Sequence, residues 1–341
     1  MDTGQLRREF SNRFDRQPRI FRAPGRVNLI GEHTDYNDGF VMPAAIDFAA
    51  YVAISPRSDR VVKAASLNYP GECEFSLDGV IEPLREWGKY VQGSALTLDR
   101  LRPIRGADIL IDSDVPIGSG LSSSAALEVA IAFAISEVAG ASLDKWDLVR
   151  IGQTTEHEFA DVKGGIMDQF ASAFGIAGHA LFLDCRSREW EPLTMPSSFV
   201  ICNTKTKHDL AESEYNKRRA ECEEAAALFG RTSLRDVALA EFKQREAELP
   251  DHLRKRARHV LTENARVKDA ANAMRRDDMT EVGRLIDESH ESLRADFEVS
   301  CFELDTMVRI VRKHAGVIGS RMIGGGFGGC AIGLFEHDVP P

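Results

Sequence analysis

Ala23-Pro24-Gly25-Arg26-Val27-Asn28-Leu29-Ile30-Gly31-Glu32-His33-Thr34-Asp35-Tyr36-Asn37 is the most telling stretch of this chain. Arg26, Glu32, His33, Asp35, Tyr36 and Asn37 fall within twelve residues, around a small apolar run. A core strand cannot bury such groups unpaired without a large desolvation cost. The mixture suits a ligand rich in hydroxyls, because carboxylates accept hydrogen bonds while Arg, His and Asn donate them. A solvated polar turn after a short strand is the plainer alternative.

Three further clusters bear on the choice. In Pro116-Ile117-Gly118-Ser119-Gly120-Leu121-Ser122-Ser123-Ser124-Ala125-Ala126, glycines precede three hydroxyls at the start of a helical pattern. Backbone N–H groups at a helix N-terminus make a phosphate cradle, and a Ser there can ligate magnesium. An ordinary Ser N-cap after a glycine turn fits the same residues. The Lys of a Walker A loop is missing. Gly324-Gly325-Gly326-Phe327-Gly328-Gly329 matches G-x-G-x-x-G only formally, because too little chain follows for a dinucleotide-binding βαβ unit. Its glycines serve either a close backbone approach or a turn at positive φ. The fourth cluster is Glu156-His157 followed by Gly164-Gly165-Ile166-Met167-Asp168-Gln169. Asp168 enters a helix just after two glycines, as a reacting carboxylate or as an N-cap. His157 reads as a packed or surface histidine.

The 341 residues suffice for one large domain or two ordinary ones, and 43% are apolar, as in a globular protein. A net charge of −10 argues against nucleic acid as a partner. The basic run Arg254-Lys255-Arg256-Ala257-Arg258-His259 reads as a solvated helix face. Six scattered cysteines without a CxxC pair suggest neither disulfides nor zinc. The charged N-terminus lacks a signal-peptide core, and no apolar run is long enough for a membrane span, so a reduced, cytoplasmic setting is expected. No pattern in the chain specifies an oligomeric state.

Strand-like segments occupy the first third, at 40–54, 60–67 and 107–111, interrupted by a helical pattern over 87–101. Two helices are expected over 122–138, with Leu127, Ile131 and Ile135 on one face, and over 143–159. Buried strands follow at 180–183 and 199–202. From Glu212 to Ala315 the chain is helical and highly charged, Pro250 opening one helix, and strands return on either side of the glycine run. The pattern is α+β with a boundary near residue 200, giving an N-terminal domain over 1–200 and a helix-rich C-terminal domain over 201–341.

Taken together, Gly25 to Tyr36, the serine motif, Gly165 to Gln169 and Gly324 to Gly329 resemble, in the expected order, the galactokinase branch of the small-molecule kinases for galactose, homoserine, mevalonate and phosphomevalonate. Trp87 with Tyr90, Ser66-Leu67-Asn68 and Ser213-Glu214-Tyr215 extend the resemblance over nearly the whole chain. It implies an N-terminal domain like ribosomal protein S5 domain 2, a ferredoxin-like C-terminal domain and a site between them. It implies that Glu32, His33, Thr34, Asp35, Gly165 and Tyr215 hold the sugar, and that Asp168 and Arg26 flank the reacting hydroxyl. Gly118, Ser119, Gly120, Leu121, Ser122, Ser123 and Ser124 would wrap the phosphates of ATP. Ser124 and Glu156 would hold Mg2+, and Trp87, Tyr90 and Ser66 would border the nucleotide.

The implied reaction is transfer of the ATP γ-phosphoryl group to the anomeric hydroxyl of D-galactose, the first committed step of galactose catabolism. Small molecules are then the partners, with no nucleic acid and no membrane. A kinase for a related sugar such as N-acetylgalactosamine is the near alternative. A non-catalytic galactose and ATP sensor is the distant one; such a protein can lose part of the serine motif or the catalytic pair, whereas Ser122 to Ser124, Arg26 and Asp168 are all present here. Relatives usually continue beyond the strand at 331–335. The resemblance therefore implies a shortened second domain whose last strand is an open edge, prone to pairing with another copy.

Overall fold

A computed structural model describes residues 2–79, 82–195, 198–206 and 211–336. Helix α1 (Thr3–Phe14) begins where the Asp2 side chain accepts from Gly4 N–H. β1 (Arg19–Asn28) is followed by the short β2 (Phe40–Val41) and the long β3 (Pro43–Pro56), then β4 (Val61–Ser66) and β5 (Glu72–Ser76). Helix α2 (Gly88–Leu101) leads to β6 (Ala107–Ser113) and helix α3 (Ser123–Ala139). Helix α4 (Lys145–Thr155) starts with a capping box between Asp144 and Asp147, and α5 (Met167–Phe174) comes before β7 (His179–Asp184), β8 (Trp190–Thr194) and β9 (Phe199–Asn203). The helices α6 (Ala211–Leu228), α7 (Leu239–Arg245), α8 (Asp251–Arg275), α9 (Met279–Ser292) and α10 (Phe302–Arg312) then precede β10 (Val317–Met322) and β11 (Cys330–Phe335).

The largest sheet has the order β1-β3-β6-β4-β5. Its one parallel pair, β4 with β6, is joined by the crossover through β5 and α2 that parallel pairing demands. β3 alternates between two buried faces. Ala50, Val52 and Ile54 join the main core under α2 and α3, while Ala53 meets Leu6 and Phe10, one turn apart on α1. β1 carries a bulge between Pro24 and Arg26, which turns Arg26 toward the serine motif. The other sheets run β2-β7-β8 and β10-β11-β9. The main core continues from the first sheet into α8, α9 and β11 through Val267, Ala270, Val282, Leu285 and Ile332.

Three expectations change. Ala331–Phe335 is no open edge: β11 is the central strand of its sheet, paired with β10 on one side and β9 on the other. α3 is not apolar on one face alone; Ala125, Ala126, Val129, Ala130, Ala132 and Ala134 are buried as well, because the sheet, α2, α4 and α5 surround it. In the basic run of α8, Arg256 and His259 point inward. Arg256 pairs with Glu221 at 2.7 Å and Glu298 at 2.8 Å, and His259 reaches the carbonyl of Glu32 at 3.1 Å. All six cysteines are free, and among the described residues no helix is long and apolar enough to cross a membrane.

Gly283 sets how closely α9 lies on β10: a Cβ there would stand 2.2 Å from the Ile318 carbonyl oxygen. Gly283→Ala is expected to destabilise the protein by about 3 kcal/mol, the cost of overpacking against backbone that cannot yield. The urea midpoint measures it; a shift of a few tenths of a molar or less would mean that the helix lifts freely.

Candidate active site

Arg26 is the hub of the site. Its guanidinium meets Asp168 side-on, with Nε to Oδ1 and Nη2 to Oδ2 both 2.8 Å, and Nη1 donates to the carbonyl of Gly120. Arg26 is nearly sealed, at 4% exposure, while Asp168 keeps 27% and opens into a cavity of about 370 Å³. Asp168 is the second residue of α5, whose N-cap is Ile166, so its carboxylate caps nothing. Ser122 stands at the N-cap position of α3, at φ 60°, but its side chain makes no capping bond: the hydroxyl donates to Asp168 Oδ2 instead. A non-glycine residue in the left-handed region costs energy and persists where its surroundings impose it.

Of the residues expected to hold a sugar, Glu32, His33, Asp35, Gly165 and Tyr215 line the same cavity. Glu32 is buried and accepts from Asn28 Nδ2 at 2.9 Å and Gly324 N–H at 2.8 Å, with Arg321 Nη2 at 3.3 Å. His33 sits at φ 62° with Nε2 3.2 Å from the Gly325 carbonyl and Nδ1 2.8 Å from the Tyr36 hydroxyl. A carbonyl only accepts, so Nε2 carries the proton and Nδ1 accepts from Tyr36. Burial pushes the His33 imidazole down to about 3, so the ring is neutral at neutral pH. Burial first, then the charge of Asp168, raises the Asp35 carboxyl to about 6. Asp35 presses on Gly165, where a Cβ would lie 2.2 Å from its Oδ2. Tyr215, on α6, closes this side. Thr34 does not line the cavity: it is fully buried and its hydroxyl donates to the Gly31 and Phe40 carbonyls, which holds the turn.

Residues 118–124 form the next wall. Ser119 Oγ donates to the Pro116 carbonyl at 2.6 Å and the Leu121 side chain is in the core, so these two present backbone to the cavity. Ser123 and Ser124 begin α3, and Ser124 Oγ is 3.1 Å from Glu156 Oε1. Glu156 opens a π-helical turn at the end of α4. Such turns recur at functional sites because they re-aim a side chain. Burial and the neighbouring Asp168 raise its carboxyl to about 7. His157, half-buried, donates from Nε2 to the Gly164 carbonyl at 2.8 Å and steadies the loop before α5.

The glycine run faces the cavity as well, and both reasons for its glycines apply. Gly324, Gly326, Gly328 and Gly329 have φ of 77°, 84°, 135° and 84°. A Cβ on Gly324 would stand 2.8 Å from Gly120 Cα, and one on Gly329 2.8 Å from the Ser119 carbonyl oxygen. A second cavity, about 520 Å³, adjoins the first and contains Ser66, Trp87 and Tyr90; Tyr90, Ile117, Ser123 and Ser124 border both.

Sequence reading missed Arg321, fully buried behind Glu32, and the pair Glu128 and Gln169 beneath Glu156, where Gln169 Nε2 donates to Glu128 Oε2 at 3.2 Å. Glu128, five residues after Ser123 and alone charged among the apolar residues 125–135 of α3, is the one visible signal.

Residues 8–56 match the galactokinase galactose-binding signature, residues 89–176 the N-terminal domain of GHMP kinases and residues 270–340 their C-terminal domain. A galactokinase of Chloroflexus aggregans is 48% identical over 339 residues, 96% of this chain and 87% of the relative. One of Roseiflexus sp. is 44% identical over 346 residues, 99% of this chain and 88% of the relative. The crystal structure of Lactococcus lactis galactokinase complexed with galactose superposes with a TM-score of 0.94 at 38% identity, covering 98% of this chain and 90% of that one. Methanococcus jannaschii mevalonate kinase shares the fold, with a TM-score of 0.62 at 19% identity over 94% of this chain and 91% of that one.

Asp35 generates a pH-dependent stability. Its folded-state value of about 6 lies above that of a free Asp, so folding takes up a proton between roughly pH 4 and 6. Above that window the folded protein holds a buried carboxylate at a cost; below it both states are protonated and the cost is gone. Asp35→Asn is therefore expected to stabilise the ligand-free protein at pH 8 by on the order of 2 kcal/mol, the gain fading toward pH 4. Denaturant melts at the two pH values test this, and an equal gain at both would place its origin elsewhere.

Proposed function

The chain belongs to the galactokinase family of the GHMP kinases and uses ATP to phosphorylate D-galactose at the anomeric hydroxyl, giving α-D-galactose 1-phosphate; we propose that Asp168 accepts the proton of that hydroxyl and that Arg26 holds Asp168 in place. The observation that carries this reading is the side-on Arg26–Asp168 pair, with both N–O distances 2.8 Å, beside the Ser122 hydroxyl at the mouth of α3. The twofold hydrogen bonding fixes the plane of the carboxylate as well as its distance.

Phosphoryl transfer passes through a loose transition state, so positioning and charge neutralisation supply most of the rate. A carboxylate is far less basic than a sugar alkoxide. Asp168 therefore takes the proton late, as O–P bonding acidifies the hydroxyl. Arg26 lies beside the same oxygens and offsets charge there. The sugar is held on the opposite wall. Glu32 already accepts hydrogen bonds from Asn28 and Gly324 and pairs with Arg321, which leaves it acceptor capacity for a sugar hydroxyl. Asp35 adds a second acceptor, Tyr215 a hydroxyl, and Gly165 leaves the room that a Cβ would fill.

Backbone N–H groups of residues 118–124 and the N-terminus of α3 are assigned to the phosphates. The second cavity, with Trp87, Tyr90 and Ser66, is assigned to the rest of the nucleotide. Magnesium is proposed at Ser124 and Glu156. A hydroxyl and a carboxylate 3.1 Å apart are hard oxygen donors, and a cation there would offset the repulsion between Glu156 and Asp168. Among the described residues no group of three His, Cys, Asp or Glu is arranged as a metal cage, so phosphate and water would complete the coordination. When bound, the ion neutralises charge on the β- and γ-phosphate oxygens.

Two measurements test the reading. ADP release over a panel of free sugars is expected to favour galactose over its C4 epimer glucose by at least roughly 10²-fold in kcat/KM, because buried acceptors left unpaired penalise the wrong epimer. Equal rates on both sugars would sink the assignment of Glu32 and Asp35. Asp168→Asn is expected to lower kcat by about 10²–10⁴-fold while leaving ATP affinity and the melting temperature near wild type. Undiminished turnover in that variant would remove Asp168 from the chemistry.

A further inference from the structure

The two cavities meet at the start of α3, where Tyr90, Ile117, Ser123 and Ser124 belong to both. A triphosphate crossing that junction brings several negative charges into an acidic region, since Glu32, Asp35, Glu156 and Asp168 all line the first cavity. Among the described residues lining that cavity, Arg26 is the one guanidinium or ammonium, and it is engaged by Asp168 and the Gly120 carbonyl. The second cavity supplies one more cation, Lys89.

Lys89 is in the first turn of α2, between Trp87 and the shared Tyr90. It is half-buried, and its Nζ lies 5.1 Å from the centroid of the Tyr90 ring. It makes no ion pair among the described residues, although the exposed Glu86 lines the same cavity. Its field reaches the buried Glu128 on α3, four residues along from Ser124. The ammonium is thus poised over an aromatic face, without a carboxylate partner, beside the place where the phosphates would enter.

We propose that Lys89 binds the polyphosphate of ATP, its ammonium pairing with phosphate oxygens where the two cavities join, with Tyr90 holding the side chain in position. The inference rests on reading the second cavity as the nucleotide site. It gives the nucleotide a protein cation independent of both Arg26 and magnesium.

The test compares wild type with Lys89→Met, which keeps the apolar stem and removes the charge. Dissociation constants for ATP, ADP, AMP and adenosine are measured by calorimetry or by competition. The expected result is a loss of roughly tenfold for ATP, less for each phosphate removed and none for adenosine, the signature of a charge-assisted contact. The KM for galactose is expected to stay unchanged, and Lys89→Arg to recover most of the ATP affinity. An equal loss for all four ligands would make Lys89 a packing residue, and no loss for any would leave it without a role; either overturns the proposal. Trp87→Ala separates the two levels of failure. If ATP affinity survives both Lys89→Met and Trp87→Ala, the cavity does not hold the nucleotide and both readings fall. If Trp87→Ala weakens ATP and Lys89→Met does not, the lysine's role alone falls.

Discussion

Backbone touches backbone at the centre of this protein, and the site depends on it. Residues 118–122 are clasped between β1 and the glycine run. On one side a Cβ at Gly25 would lie 2.7 Å from the Leu121 carbonyl oxygen, and Arg26 N–H donates to that same oxygen at 3.1 Å. On the other, Gly324 and Gly329 lie against Gly120 and Ser119. Side chains at any of these glycines would push the layers apart. With the layers in contact, three segments distant in sequence share one small volume, and their N–H groups and carbonyls become part of the lining.

That closeness concentrates charge. Asp168, Asp35 and Glu156 line one cavity, and burial together with mutual repulsion raises the carboxyls of Asp35 and Glu156. A fold selected for stability alone would not gather them, because buried like charges oppose folding. Behind them, Arg321 is fully buried, and Arg266 and His259 help hold the Glu263 carboxyl down at about 2 against the cost of burial. Glu263 in turn accepts from Gly31 N–H at 2.9 Å, so α8 of the C-terminal half anchors the polar turn of the N-terminal half. The wall carrying Glu32 and His33 is a product of both halves, since Glu32 receives Gly324 N–H and His33 donates to the Gly325 carbonyl.

Much of this was readable in the chain. The density of Arg, Glu, His and Asp around residues 26–35 pointed to a polar ligand, and the glycine run 324–329 called for either close backbone approach or a turn at positive φ. Most strands and helices followed from apolar runs and helical spacing, which are local properties, although α1, β1, β5 and β8 were not expected. Local signals misled where a second element intervened. α3 reads as one-sided, yet it is enclosed by the sheet and three helices. The basic run of α8 reads as solvated, yet Glu221 and Glu298 draw Arg256 inward. The family resemblance likewise implied an open edge at β11, yet β9, more than a hundred residues earlier, covers it.

By itself, then, the sequence determined which residue types gather into motifs, which segments become helix or strand, and the class of ligand those motifs suit. Tertiary structure alone decided what each side chain does. In sequence a helix cap stayed open as an alternative for Asp168 and for the serine motif; the arrival of Arg26 across the β1 bulge makes Asp168 an ion-paired carboxylate and Ser122 its hydroxyl donor. Thr34 stands inside the ligand motif, but the turn takes its hydroxyl. Arg321 carries no local signal of its burial beneath the site. The reason is physical: propensity and periodicity act over a few residues, whereas desolvation and hydrogen-bond partnership are set by groups a hundred residues away, and these decide whether a polar side chain faces a ligand or holds the fold.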